Sequence, residues 1–199
     1  TGVQTCALPI SSIGILAPSA TFTVTTNTDG CGFTPPSGSL REAIVNANAS
    51  PGGDTIDFIA LSGPISLCDC LPSIQDALTV DGSGHGIEID ASSFTSGGCS
   101  IFETAAGATG LTIEDLVIGG GNTSSAQVIE ANNLNDLILE DLDIKNFDEP
   151  SRLIRTSSVG SAQLRRLDVE RNATEETPVQ LDASYIEVGD TRMALNTAN

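Results

Sequence analysis

The chain has no tryptophan, one tyrosine (Tyr185), one histidine (His85) and one methionine, and it sets only eight lysines and arginines against 26 aspartates and glutamates. Few rings exclude a core built on aromatic packing, and they leave few flat platforms against which a ligand could stack. Few bases exclude nucleic acid as a partner, because no basic patch replaces the phosphate counterions. A polyanionic glycan is likewise repelled at a net charge of −18 unless a cation bridges it. The lone histidine argues against zinc, since Cys68 and Cys70 form only a C-x-C pair. No run approaches the ~20 apolar residues of a membrane-spanning helix.

What the chain does have is repetition. IFETAAGATGLTIEDLVI starts at Ile101, VIEANNLNDLILEDLDI at Val128, LIRTSSVGSAQLRRLDV at Leu153, and a worn VQLDASYIEV at Val179, with steps of 27, 25 and 26 residues. Short apolar alternations separated by Gly, Asn, Ser and Asp, repeated at that length, mark a solenoid whose units cannot bury their own cores. Ile113, Leu116 and Ile118 align with Leu139, Leu142 and Ile144, then with Leu164, Leu167 and Val169, and these are the expected inward ladders. The alternation changes phase at Glu114-Asp115, Glu140-Asp141 and Arg165-Arg166, which predicts two short strands meeting at a bend. No copy has a helical period, and GGGNTSS (Gly119 to Ser125) and NATEETP (Asn172 to Pro178) read as loops. Leucine-rich repeats are thereby disfavoured, and an all-β, right-handed parallel β-helix of two or three strands per turn is expected.

Outward positions repeat too. Glu103, Glu130 and Arg155 share one column, Glu114, Glu140 and Arg165 a second, and Asp115, Asp141 and Arg166 a third, each reading acid, acid, base. The plain reading is a solvent face on which arginine offsets the repulsion of stacked acids. The sharper one is Ca2+ or another divalent ion between acidic rungs, though the spacing singles out no ligand set. No cofactor is therefore expected, and no catalytic, cofactor-binding or metal residue is assigned.

The front of the chain is different. TGVQTCALPI (Thr1 to Ile10) looks like a translated sequencing adapter and is set aside with Cys6, while SSIGILAPSA (Ser11 to Ala20) resembles the end of a secretion signal without its charged start. Residues 1–20 are thus left out of the fold, 21–52 form an N-terminal cap, and 53–199 form rungs. The cap is expected to be a strand, TFTVTT, and one amphipathic helix, with Ser39 and Glu42 as a capping box and Leu40, Ile44 and Val45 as the apolar side that closes the coil. Cys31, Cys68, Cys70 and Cys99 are an even set suited to an oxidising compartment, with three possible connectivities, and bridges pinning the first rungs are favoured over a metal or redox role.

TFTVTT, SLREAIVNAN (Ser39 to Asn48), GDTIDF (Gly53 to Phe58), ISL before LPSI (Ile65 to Ile74) and LTVDGSG (Leu78 to Gly84) closely resemble the CSLREA domain. That domain stands at the start of right-handed parallel β-helix repeat proteins on bacterial surfaces, some related to polymorphic outer-membrane proteins. The resemblance covers Thr21 to about Asp90, and it departs from the pattern at Gly38, where a cysteine is expected. Cys31 must then pair with Cys68, Cys70 or Cys99, or stay free. The resemblance implies export, an extracellular or outer-membrane location and an adhesive or structural role toward a host-surface or extracellular glycan or protein. The ending at ALNTAN (Ala194 to Asn199) reads as a fragment open at both ends, with more rungs and an anchor expected elsewhere.

Catalysis is the competing class, because β-helices also house pectate lyases and polygalacturonases. NTD (Asn27 to Asp29) and GHG (Gly84 to Gly86) occur in polygalacturonases, but there they lie mid-coil beside an Asp-Asp pair and an Arg-Ile-Lys that this chain lacks. Glu114 and Glu140 on neighbouring rungs are the candidate carboxylate pair for glycoside hydrolysis, and Arg165 or Arg166 the candidate base of a lyase. Both lie on a regular face without an aromatic platform, so the expectation is no enzyme, with the entry portion of a polysaccharide lyase or hydrolase as the alternative. Loops such as KNFDEPSR (Lys145 to Arg152) are the variable flank, and Phe147 is an exposed candidate contact there, although a lone loop aromatic more often packs against its own coil than against a ligand.

Overall fold

A computed structural model describes residues 18–31, 34–94, 99–120, 127–147, 152–172 and 178–195. The adapter-like start, Cys6 and the final four residues lie outside them, as do most of SSIGILAPSA, GGGNTSS and NATEETP and part of KNFDEPSR.

Every strand pairing is parallel, and the chain winds as a parallel β-solenoid of about five turns. One face stacks β1 (Thr21–Val24), β2 (Asp54–Phe58), β4 (Leu78–Asp81), the first halves of β7 (Gly110–Gly119) and β9 (Asp136–Lys145), β11 (Val159–Arg165) and β14 (Ala183–Gly189). The next stacks β3 (Ile65–Ser66), β5 (Ile87–Asp90), the second halves of β7 and β9, β12 (Asp168–Asn172) and β15 (Arg192–Leu195). The third is a separate four-stranded sheet of β6 (Phe102–Glu103), β8 (Ile129–Asn132), β10 (Ile154–Ser157) and β13 (Val179–Gln180).

Registers match the repeat alignment. Ile56, Val80, Ile113, Leu139, Leu164 and Val188 form one inward ladder. Ile65, Ile89, Ile118, Ile144, Val169 and Met193 form the second. The inner members are fully buried, and each contributes roughly 1.5–3 kcal/mol relative to an exposed side chain. On the last described rung Val188 and Met193 stand 56% and 46% exposed, because no further rung covers them among the described residues.

The phase change at the charged pairs has a backbone cause. Asp115, Asp141 and Arg166 adopt φ of 55°, 53° and 50°, so one left-handed residue per turn rotates the strand while the neighbouring inward residues stay on the core. In two of the turns the ladder of backbone hydrogen bonds continues through the bend, and β7 and β9 are single bent strands of ten residues rather than the two short ones expected.

The helix α1 (Leu40–Ala49) packs on β1 and β2 and covers the first turn. Ser39 caps it, its hydroxyl accepting from the Glu42 amide at 3.1 Å, while the Glu42 carboxylate reaches back to the Gly38 amide at 2.6 Å. Its buried stripe is Leu40, Ala43, Ile44 and Ala47, at i, i+3, i+4 and i+7. Val45 was expected on that stripe and is instead 42% exposed, since one residue past Ile44 is about 100° round the helix. Gly38 has φ +75°, and a Cβ there would fall 2.1 Å from Thr25 Oγ1, so the backbone at this position favours glycine.

Arg41, also buried, ties the cap to the coil. Its Nη2 donates to Asp29 Oδ2 at 2.5 Å and to the Asp69 carbonyl at 3.0 Å, and its Nη1 donates to the Cys70 carbonyl. Removing one partner of a buried pair strands the other charge. Arg41→Met is expected to cost about 3–5 kcal/mol in urea unfolding, and adding Asp29→Asn to restore part of it. A double mutant that loses the full sum of the single losses would show that the two groups act independently.

Candidate functional site

The charged face is built by register alone. Glu103 lies over Glu130 and then Arg155, Glu114 over Glu140 and then Arg165, all in the columns expected. One further member and one further column were missed. Asp81 pairs with Glu114 and begins the second column one turn earlier, as aligning Leu78-Val80-Asp81 with Leu111-Ile113-Glu114 would have shown. Asp143, Asp168 and Arg192 form a fourth acid, acid, base column on the next face.

Each described arginine of these columns closes on acids of an adjacent turn. Arg155 reaches Glu130 at 3.3 Å, and Arg165 lies between Glu140 at 3.9 Å and Glu187 at 3.4 Å. Arg166 holds Asp141 through Nε at 2.5 Å and also donates to Glu140. Arg192 spans Asp168 at 3.1 Å and Glu170 at 3.3 Å. Singly, such half-exposed pairs contribute little, and their effect here is to offset repulsion between stacked acids.

The offset is uneven along the column. The Arg166 guanidinium holds the Asp141 carboxyl below the usual carboxylate range, and the two acids in turn raise the guanidinium pKa. Glu114 lies above the usual range, first through burial and then through Asp81, Glu140, Asp115 and Asp141. Asp115 is raised too, by burial and then chiefly by Asp141 and Asp81. The acids farther from the arginines thus carry the unrelieved charge. No group of three or more metal-ligating side chains suited to an ion occurs among the described residues.

The remaining sequence candidates do not converge. Glu114 and Glu140 are adjacent in one ladder and face the same solvent side, not opposite walls of a cleft. Asp29 of the NTD string lies buried beneath the cap, where burial raises its pKa although Arg41 opposes the shift, while His85 of GHG is exposed in the turn after β4. Phe147, the candidate loop contact, is fully buried against its own coil, the commoner outcome for a lone loop aromatic, where Asn146 at φ 61° turns the chain. The cysteines pair as Cys31–Cys68 and Cys70–Cys99, closing separations of 37 and 29 residues. Each closure contributes roughly 3–4 kcal/mol in the chain-entropy view, and together they pin the first turns to the cap region. The C-x-C therefore reaches in two directions, with Arg41 holding the Asp69 and Cys70 carbonyls between the bridges.

No family model matches the chain, and no curated protein sequence matches it.

Because the folded pKa of Glu114 is raised, the native state gains from its protonation. The penalty is fully present above that pKa and disappears as pH falls below the unfolded value of 4.5. Glu114→Gln is expected to stabilise the protein at pH 7 by about 0.2–1 kcal/mol, with the difference from wild type vanishing near pH 3 in urea titrations at each pH. An equal gain at both pH values would mean that packing, not charge, is responsible.

Proposed function

We propose that this chain is the capped part of an exported bacterial surface β-helix protein that serves as an adhesin or structural stalk and does not itself catalyse a reaction. The observation that carries this reading is the engagement of Arg165 and Arg166. The two candidate bases of a lyase reading are bound across the turns to Glu140, Asp141 and Glu187, and the acids around Arg166 favour its protonated form. A base must be free to take a proton, so these arginines act as ties in a regular ladder.

Other features support export and a mechanical role. Two disulfides suit an oxidising compartment, and a strongly acidic surface keeps an extended coil soluble and apart from its neighbours. No helix among the described residues is long and apolar enough to cross a membrane. The CSLREA-like segment at Thr21 to Asp90 points to the same setting.

The purified chain, incubated with plant and algal polysaccharides in the presence of Ca2+, is expected to release neither unsaturated uronides, followed by ultraviolet absorbance, nor new reducing ends. Turnover that survives repurification and is lost in Arg165→Ala/Arg166→Ala would replace the stalk with a polysaccharide lyase.

A further inference from the structure

The two disulfides near the cap stand in different surroundings. Cys31 is exposed and Cys68 half-buried, and both border a cavity of about 440 Å3 that has room for a small dithiol. Cys70 and Cys99 are both half-buried, neither borders that cavity, and Cys99 packs against the hydrophobic core. A disulfide is reduced by in-line attack of a thiolate on one sulfur, so access decides which bridge opens first. Here access favours Cys31–Cys68.

Residues 27–31 are tied down at three points. Thr28 forms a parallel bridge with Ser66, the Asp29 carboxylate pairs with Arg41 at 2.5 Å, and Cys31 is bonded to Cys68. Asp29 is only 1% exposed, and its Oδ1 has no hydrogen-bond partner. A buried carboxylate that is half satisfied gains by moving into water, and the bridge two residues along opposes that movement. If the segment leaves, Arg41 keeps the Asp69 and Cys70 carbonyls as acceptors, and α1 stays docked through Leu40, Ala43, Ile44 and Ala47.

We propose that Cys31–Cys68 is a redox-sensitive latch, which a dithiol reductant opens while Cys70–Cys99 stays closed, releasing residues 27–31 without unfolding the coil. The inference goes beyond the adhesin reading and does not rest on it. A thiolate of the reductant attacks the exposed Cys31 sulfur, forming a mixed disulfide as Cys68 leaves as thiolate. The reductant's second thiol then displaces Cys31 and closes its own disulfide. The reductant loses two electrons and two protons, and Cys31 and Cys68 end as thiols. The outer loop of the cap is thus fastened only in an oxidising setting, whereas the helix and the coil hold in both.

The test is timed reduction of the native chain with dithiothreitol after Cys6 has been blocked with N-ethylmaleimide, each sample being quenched with iodoacetamide and mapped by mass spectrometry. Cys31 and Cys68 are expected to be labelled at least tenfold faster than Cys70 and Cys99, with the far-ultraviolet circular dichroism unchanged. In Cys31→Ser/Cys68→Ser, hydrogen exchange at residues 27–31 is expected to speed at least tenfold while β7 and β9 keep their protection. Equal rates for the two bridges, earlier opening of Cys70–Cys99, or labelling no faster than global unfolding overturns the assignment. Loss of the dichroism signal as Cys31 and Cys68 become labelled overturns it as well, since the bridge would then hold the whole fold and not a loop.

Discussion

Backbone hydrogen bonds between successive turns are the constraint from which the rest follows. Each turn pairs in parallel with the next, so every residue sits one strand spacing from its equivalent about 25 residues away. A side chain's principal neighbours are thus its own counterparts. Ile113 lies between Val80 and Leu139, and Leu139 in turn lies beside Leu164. β-branched and leucine side chains stacked in register fill most of the space between the three faces, with Phe58, Phe94, Phe102 and Phe147 buried among them.

The same rule that makes stacked leucines favourable makes stacked acids unfavourable. Asp81, Glu114 and Glu140 follow one another with no base among them, and relief comes only at Arg165 and Arg166. Burial raises the pKa of Glu114 and Asp115, and the neighbouring acids add to that rise. The charged face is accordingly a ladder with its compensation at one end.

A solenoid propagates its order from an end, and here the first turn is closed by α1 and fastened at several points. Arg41 bonds to Asp29, Asp69 and Cys70, while the two disulfides join Cys31 to the first turn and the first turn to Cys99. Covalent closure and the buried ion pair act on the same few residues. The cap therefore behaves as part of the coil's first layer instead of a detachable domain.

Strand positions, inward ladders and the acid, acid, base columns were legible in the sequence, because a repeat writes three-dimensional proximity into a fixed chain separation. The capping box at Ser39 and the bend at the charged pairs were legible as well, being local. Other features depended on where distant segments meet without a repeat to announce it. The Arg41–Asp29 pair, the partners of Cys31 and Cys70 and the burial of Phe147 all depend on positions that no periodicity links. Sequence alone determined that this protein is a coil and which residues point into it, since inter-turn register is periodic; tertiary structure decided how the coil is sealed and where its surface is concave, since those depend on single, unrepeated contacts.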